Sequence, residues 1–475
     1  MTRGNGLRDA YSATLARIKA QKGSKATLGM GVLMWLSHSE RPLNVGELCH
    51  ALGVEIGSTN LDYQNIPAIE TVLGCSLGLV VLEASSYTLR LVHYTLQEYL
   101  SNNSDLFHSP HLMIAEACLT YLNFECIRDL SPVLRCPRRE APFLEYASCY
   151  WGVHARREIG SGGEITEGVN TLAVGLLDGF ENHISSVILL SRSDDHWDWE
   201  IGWSNPTWFT GLHGASYLGM EETTRALLGI REWDLGATDV AGNTASSWAA
   251  RKGNDNTLKM LLGQEGITPN AADKDGRTPL SWAAGNRCEN VVKILLGRED
   301  VTPNIADKDG RTPLLWAARK GFGDVVKIIF ERQDVNPNTA DGEGRTPLSW
   351  AARNGFEHVV KILLEHCDVN PNTADEGGRT PLSWASGGGH AAAVSLLYGR
   401  ENVDPNTADK SGRTPLSWVA GDGRGRIVEM LFEHRDVDPN AADKNGRTPL
   451  SWAARHSHRD IVETLCRTAG RRSRH

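Results

Sequence analysis

The sequence predicts a mainly α-helical protein with three parts: a small domain of three helices and a two-stranded wing, a helical linker, and a C-terminal α-solenoid. Two observations indicate this fold class. The string Gly-Arg-Thr-Pro-Leu begins at six positions from Gly276 to Gly446, each 34 residues after the last, and such a fixed period is typical of stacked helical repeats. The N-terminal part instead shows apolar helical runs followed by two short strand-like runs. We predict four segments, which are an N-terminal helix at 1–26, the winged domain at 27–105, the linker at 106–204 and eight repeats at 205–475.

The winged domain is predicted from the order of its elements. Asn44 is expected to cap the second helix, because Glu47 follows three residues later and completes a capping box. Three helices before a hairpin is the order of a winged helix. The expected elements are a first helix at 28–36, a second beginning after Asn44, a third at 66–73, and strands at 80–82 and 87–92.

The charge of this domain does not favour DNA binding. Between Arg41 and Arg90 there is no Lys or Arg, while the same stretch contains five Asp and Glu residues. A recognition helix of this composition would repel phosphate. We therefore predict no nucleic-acid partner for it.

Composition narrows the class of protein further. The chain has 475 residues, 40% of them hydrophobic, and a net charge of -9, which is ordinary for a globular protein. Its nine cysteines include no C-x-x-C pair, which favours reduced thiols and a cytoplasmic location, with the nucleus as the alternative. The longest uncharged apolar run, residues 26–37, is too short to span a bilayer, so no membrane partner is predicted.

Each repeat reads as helix, turn, helix and hairpin loop. Thr278 is expected to cap the first helix and Pro279 suits its first turn, since a proline needs no N–H there. The second helix carries apolar residues at helical spacing, as at residues 291–296. A tract rich in Pro, Asn, Asp and Gly follows, as at 335–342, and has the composition of a turn.

These residues resemble ankyrin repeats. The run from Thr278 to Ala284, Thr-Pro-Leu-Ser-Trp-Ala-Ala, is similar to the family pattern T-P-L-H-x-A-A, and the resemblance covers about residues 205–475. It implies an α-solenoid that binds a protein partner on its concave face without turnover. The period of 34 departs from the family's usual 33, and Ser replaces the family's His in most units.

A tryptophan recurs once per repeat, from Trp248 to Trp452. A ladder of aromatic rings could stack on bases or peptides. A helical aromatic stripe is more often packing, so we predict that these rings belong to the core between units.

An arginine also recurs, directly before each Thr-Pro. Six arginines in register could bind an acidic or phosphorylated partner. They could equally form ion pairs with the aspartate four residues before each of them, one pair per unit, and the near-neutral charge of the repeats favours this second interpretation. Residues at the hairpin tips and after the first helices vary between copies, either as partner-contacting positions or by drift. The candidate partner-binding residues are Arg277, Arg311, Arg345, Arg379, Arg413, Arg447, Lys274, Lys308, Arg319, Lys320, Arg353, Asn354, Lys410, Lys444 and Arg455.

The N-terminal half carries a second resemblance. Arg41-Pro42-Leu43, residues 91–100 (Leu-Val-His-Tyr-Thr-Leu-Gln-Glu-Tyr-Leu) and Trp151-Gly152-Val153-His154-Ala155 resemble the winged helix and helical linker that follow the NACHT NTPase in fungal NLR-like (STAND) proteins. The resemblance implies partner or effector sensing and allows self-association through this region. It also implies a nucleotide-sensing role for His93, although a structural histidine that starts a helix is the favoured interpretation, because the NTPase that would hold the nucleotide is missing.

The NTPase itself is not encoded in these residues. A P-loop requires G-x-x-x-x-G-K-[ST], and the dipeptide Gly-Lys does not occur. The alternative prediction is therefore a fragment of a nucleotide-dependent STAND ATPase whose NTPase lies upstream, with residues 1–26 as its last helix.

We predict a non-catalytic protein-binding scaffold with no cofactor and no metal. One motif, G-x-S-x-G at residues 74–78 with Ser76 at its centre, matches a hydrolase elbow. That elbow needs a strand before the serine and a helix after it. The sequence predicts the reverse order, so the match is attributed to chance.

Overall fold

The protein is described by a computed structural model over residues 3–130, 141–160, 166–191, 208–432 and 436–472. It is mainly helical and divides into two compact bodies, residues 1–240 and 241–475. Parts of the predicted linker, at 131–140, 161–165 and 192–204, lie outside the described residues.

The N-terminal part of the first body is a winged helix. Its three short strands form one antiparallel sheet in the order β1-β3-β2, with Leu43 opposite Leu89 and Val80 opposite Leu91. Its elements are α1 Arg3–Lys19, α2 Lys25–His38, β1 Leu43–Asn44, α3 Val45–Gly53, α4 Ile69–Cys75, β2 Val80–Glu83, β3 Thr88–Leu91 and α5 Tyr94–Ser101.

The predicted cap of the second helix is confirmed. The Asn44 side chain accepts a hydrogen bond from the Glu47 N–H at 2.9 Å, and the Glu47 carboxylate accepts from the Asn44 N–H at 2.9 Å. The predicted start of the third helix at residue 66 is wrong, since α4 begins at Ile69. Pro67 disfavours helical backbone at the residue before it, so the chain stays extended until Ala68. The strand β1 was not predicted.

A helical segment follows within the same body. Helix α6 packs against α8 and α9, and Phe143, Tyr146 and Trp151 are fully buried. The last pair is the first repeat and packs against α9. These helices are α6 Pro110–Asn123, α7 Glu125–Arg128, α8 Leu144–Gly160, α9 Glu167–Leu177, α10 Ile184–Ser191, α11 Gly211–Leu218 and α12 Glu221–Ile230.

The second body contains seven helix pairs, which we call units 2–8. In units 3–8 the Thr-Pro pair begins the first helix as predicted: Thr278, for example, accepts a hydrogen bond from the Ser281 N–H at 3.3 Å. The pairs are α13 Ala245–Lys252 and α14 Asp255–Leu262, α15 Pro279–Gly285 and α16 Glu289–Leu296, α17 Pro313–Lys320 and α18 Gly323–Ile329, α19 Pro347–Asn354 and α20 Glu357–Glu365, α21 Pro381–Gly388 and α22 Ala391–Tyr398, α23 Pro415–Gly421 and α24 Gly425–Phe432, and α25 Pro449–Arg455 and α26 Arg459–Arg472.

Backbone contacts join the hairpin loops of neighbouring units. The Lys308 N–H donates to the Asp275 carbonyl at 2.8 Å, and the same bond recurs along the array. Gly276 lies beside this bond with φ +82°, and a Cβ there would approach the Lys308 nitrogen to 3.0 Å. The glycine of the repeated string is therefore required both by backbone conformation and by close packing.

In the second body, an asparagine in each of five successive hairpin loops clamps that loop to the next one. Asn304 donates from Nδ2 to the Asp334 carbonyl at 2.6 Å and accepts at Oδ1 from the Asn336 N–H at 2.9 Å, 30 and 32 residues later. This side chain thus satisfies one donor and one acceptor of the next loop. The clamp explains the repeated Pro-Asn pair, and it recurs at Asn270, Asn338, Asn372 and Asn406.

Candidate partner-binding face

Seven tryptophans occupy one position on the first helices of units 2–8. Trp248 and Trp350 are 2% and 7% exposed, and the other five are half-buried. This burial agrees with the predicted packing role, although part of each half-buried ring reaches the surface. The rings are Trp248, Trp282, Trp316, Trp350, Trp384, Trp418 and Trp452.

One arginine bridges each pair of consecutive rings. In all six gaps the guanidinium carbon lies within 5.2 Å of both ring centroids, a distance at which a cation is attracted to the ring faces. We call these seven rings and six arginines the Trp–Arg ladder. From the N-terminal gap onward, the bridging residues are Arg251, Arg277, Arg319, Arg353, Arg379 and Arg413.

The bridging arginines come from two different positions. Arg251, Arg319 and Arg353 lie at the end of a first helix, three residues after their tryptophan. In the other three gaps that position is a glycine, at Gly285, Gly387 or Gly421, and the bridge comes from the arginine of the hairpin. A glycine leaves the space beside the rings empty, so the hairpin arginine can occupy it.

The predicted ladder of Arg–Asp pairs forms only in part. Arg345 donates from Nε to Asp341 at 3.1 Å within its own unit. Arg311 pairs instead with the hairpin-tip aspartate two residues before it, at 2.6 Å. Arg277 and Arg379 approach the aspartate of the next unit only to 3.9 and 4.0 Å. One pair per unit is therefore wrong, because stacking on the rings competes for the guanidinium groups.

The recurrent aspartates are bound mainly by tryptophan and by backbone. In units 3–8 the tryptophan Nε1–H donates to one carboxylate oxygen at 2.9–3.1 Å. The other oxygen accepts from the N–H of the hairpin arginine at 2.8–3.0 Å. Each carboxylate thus fixes its ring and its hairpin together.

The environment of these carboxylates differs between units. Burial raises the pKa of Asp273, in spite of its hydrogen bonds. Burial also acts to raise the pKa of Asp341, but the Arg345 N–H, the Trp350 Nε1–H and the Arg345 charge outweigh it and hold that pKa below its usual value. Units of almost identical sequence therefore differ in electrostatics.

Burial against the rings lowers the pKa of three bridging guanidinium groups, those of Arg319, Arg379 and Arg413. For Arg319 the charges of Arg311 and Arg345 act in the same direction. Burial, rather than an excess of positive charge, is thus the main influence on these three cations.

The remaining predicted positions lie around the ladder. Lys274, Lys308, Lys410 and Lys444 are exposed at the hairpin tips, and Lys320, Asn354 and Arg455 are exposed as the last residues of first helices. The Asn354 amide donates to the Arg319 carbonyl at 3.0 Å. Arg447 and Arg455 both lie over the last ring, at 5.2 and 5.7 Å. The structure thus brings the predicted arginines to one row of rings and leaves the predicted lysines exposed at the hairpin tips and at the end of a first helix.

Sequence reasoning missed Arg251 and the exchange between the two arginine positions. The available signal was the residue seven positions after each capping threonine, which is Arg in four units and Gly in three. That variation was weighed only as partner contact or drift, whereas it decides which side chain fills each gap.

His93 and Ser76 have structural roles in the winged domain. The His93 Nδ1 accepts a hydrogen bond from the Thr95 N–H at 3.2 Å and so caps helix α5, with the ring exposed. Ser76 is fully buried and donates to the Val72 carbonyl at 2.7 Å, between a helix and a strand as predicted. Its hydroxyl is not placed as a hydrolase nucleophile.

The described residues hold one cluster of metal-type ligands. Within the described ranges, one group of three metal-type ligands, His366, Cys367 and Asp368, brings its atoms within 4.8 Å of one another, and two of these residues are exposed. No helix in the part of the chain that is described is long and apolar enough to cross a membrane.

Comparison with known families adds two matches. The family profile described as ankyrin repeats (3 copies) matches residues 212–307, 268–341, 299–375, 332–409 and 388–472, which together span more than half of the chain. The profile described as GPI inositol-deacylase, winged helix domain, matches residues 13–109. No curated protein matches the chain.

Proposed function

Because the chain belongs to the ankyrin-repeat family, we propose that it is a non-catalytic scaffold that binds a protein partner across the Trp–Arg ladder. The observation that supports this is the ladder itself, a continuous row of buried and half-buried rings bridged by cations and flanked by exposed, unit-specific side chains. Aromatic and arginine side chains are the residue types that contribute most to protein interfaces. The concave face implied by the family resemblance is the surface to which we assign it.

The matched winged-helix profile takes its name from a lipid-modifying enzyme, which makes a hydrolytic function worth weighing. Such a reaction needs an accessible nucleophile and a base beside it. The G-x-S-x-G serine, Ser76, is buried and bonded to a backbone carbonyl. The observed site favours binding over catalysis.

We propose further that binding serves partner or effector sensing in a fungal NLR-type system, with self-association through the N-terminal body. The support is the resemblance of the winged helix and linker to those of NACHT proteins, together with the repeats. The near-identical copies fit recent duplication, by which the ladder would gain or lose a whole unit in a single genetic event. The predicted domain boundaries and the absence of a cofactor stay predictions.

The alternative is that this chain is part of a nucleotide-dependent STAND ATPase with its NTPase upstream. In that protein His93 would sense the bound nucleotide, and its exposed ring at the start of α5 leaves Nε2 open to such a contact. A longer in-frame transcript that encodes a P-loop lysine would support this alternative. We also propose a cytoplasmic location, with the nucleus second, because the described cysteines are free thiols.

Site-specific photo-cross-linking tests the binding function. A photoreactive residue replaces Asn354, which is exposed beside the ladder, or Lys361, which is exposed on the second helix of the same unit. We expect a discrete cross-linked protein from native-cell extract with the Asn354 variant and none with the Lys361 control. Cross-linking from neither position, or equally from both, would refute binding across the ladder.

A further inference from the structure

We propose that the centre of the ladder, around Arg319 and Arg353, binds an acidic, carboxylate-bearing segment of the protein partner. This inference rests on the proposed function and adds the chemistry of the partner. It concerns units 4 and 5, where the arginines at the ends of the first helices form the bridges.

The two guanidinium groups are held in place before any partner arrives. Arg319 lies 5.2 and 4.7 Å from the rings of Trp316 and Trp350, and Arg353 lies 5.1 and 4.5 Å from Trp350 and Trp384. An arginine that is already ordered loses less conformational entropy on binding than a free one. It also presents a fork of N–H donors that matches a carboxylate.

These two arginines have no ion-pair partner of their own. Within the described ranges, no carboxylate oxygen lies within 4.0 Å of either guanidinium group, and both side chains are partly exposed. The hairpin arginines beside them are the opposite case. Arg311 is paired with Asp309, and Arg345 with Asp341 and Glu343. The structure thus separates satisfied arginines from available ones within the same two units.

The nearby acids are already occupied. Asp341 is bound by Trp350 and by Arg345, and the carboxylates of Asp309 and Glu343 are paired with hairpin arginines. The exposed cations Lys308 and Lys320 add positive charge at the edges. Charge therefore remains uncompensated at this point of the array.

The same acids argue against a nucleic acid as the occupant. The side chains of Asp309 and Glu343 are 62% and 68% exposed and would repel a continuous phosphate backbone. A peptide can place separate carboxylates on Arg319 and Arg353 and avoid them. The C-terminal gaps are less suitable, because Glu376 and Asp422 are exposed there and glycines replace the arginines after the first helices.

The test uses the full chain and a fluorescein-labelled peptide of alternating Glu and Gly, measured by fluorescence anisotropy. Lys320→Glu changes an exposed residue beside the ladder, and Lys327→Glu makes the same charge change on the second helix of the same unit. We expect the first to weaken binding about tenfold and the second less than about twofold. Equal weakening by both would indicate unspecific charge attraction and would overturn the proposal.

A second matched pair tests the arginines themselves. Arg319→Ala should weaken peptide binding about tenfold, whereas Arg225→Ala, which removes an exposed arginine paired with Glu221 and Glu222 on the second helix of the first repeat, should change it less than about twofold. Circular dichroism checks the fold of each variant, and Lys320→Glu keeps the test valid if Arg319→Ala unfolds. Stronger binding of a single-stranded oligonucleotide with the same variant dependence would overturn the choice of partner.

Failure of this proposal is distinguishable from failure of the proposed function. A partner that cross-links from Asn354 while the Glu-Gly peptide does not bind would leave the scaffold function standing and refute the acidic chemistry. Absence of any cross-linked partner would refute the function itself.

Discussion

Replacing Arg413 by alanine should destabilise the C-terminal units, because nothing else can fill its gap. Its guanidinium carbon lies 3.6 Å from the Trp418 ring centroid and 4.0 Å from that of Trp452. The residue that bridges the corresponding gap in other units is a glycine here, Gly421. In contrast, Arg345→Ala leaves the ladder uninterrupted, because Arg353 still bridges the rings of its unit and the next.

The expected magnitude follows from the two lost contacts. A cation–π contact at a partly exposed site contributes about 0.5–1 kcal/mol, so removal of Arg413 should cost about 1–2 kcal/mol. Its Nε is buried without a partner, which offsets some of the stabilisation and places the estimate toward the lower end.

An arginine at position 421 should replace the missing bridge. A Cβ at position 421 would lie 3.0 Å from an Arg413 terminal nitrogen, with the Trp452 Cβ at 3.8 Å. Gly421→Arg should therefore crowd the native chain but restore the bridge once Arg413 is alanine. It also removes a helical glycine, worth about 1 kcal/mol, so the double variant should recover most of the lost stability.

The assay must resolve single units, since repeat arrays need not unfold in one step. Hydrogen exchange of α23 and α25, together with the urea midpoint by circular dichroism, gives local and global readings. The helix-propensity gain is separated by comparing Gly421→Ala with Gly421→Arg in the Arg413→Ala background. If arginine rescues no better than alanine, the bridging role of the guanidinium group is refuted.

Three further predictions concern the ties between and within units. Asn338→Ala removes two hydrogen bonds to the next loop and should cost about 1–3 kcal/mol, seen as faster hydrogen exchange on both sides of that junction; unchanged exchange would contradict the clamp. Thr380→Ala removes a helix cap and should lower stability by about 1 kcal/mol, measured by urea denaturation, with Thr380→Ser as the control that retains it. Because the pKa of Asp341 is lowered in the folded protein, its charge stabilises the fold at any pH above the unfolded pKa of about 4. This stabilisation is lost as the pH falls through the pKa of the folded protein. Asp341→Asn should therefore reduce the loss of stability at acid pH, measured by urea denaturation as a function of pH. Burial raises the pKa of Asp273, so this residue contributes to stability at low pH, and the contribution is lost as the pH rises through its pKa in the folded protein. Asp273→Asn should therefore not reduce the loss of stability at acid pH.

Much of the fold could be predicted because its signals are local and repeated. The Thr-Pro caps, the Asn44 capping box and the helix–hairpin order of the winged domain each depend on residues a few positions apart. Where local rules competed, prediction failed: Pro67 delayed the start of α4, and β1 needed a strand more than 40 residues away to pair with.

The candidate site was predicted less well than the fold. The correct residue types were identified, but their partners were not. The aspartate nine residues before each tryptophan was expected to pair with the arginine of its own unit. It binds the indole N–H, and such a pair forms beside that bond at Asp341. A sequence gives the spacing of two charges but not the ring that lies between them.

The sequence by itself determined that this protein is a stack of similar units, because a 34-residue period in apolar and capping residues has one efficient way to bury its surface. Only the tertiary structure decided which arginine bridges which pair of rings. That choice depends on whether the residue after a first helix is arginine or glycine, and on the distance to a ring one unit away. Space and charge in a ladder are shared between neighbours, so the role of each arginine is fixed by the unit beside it.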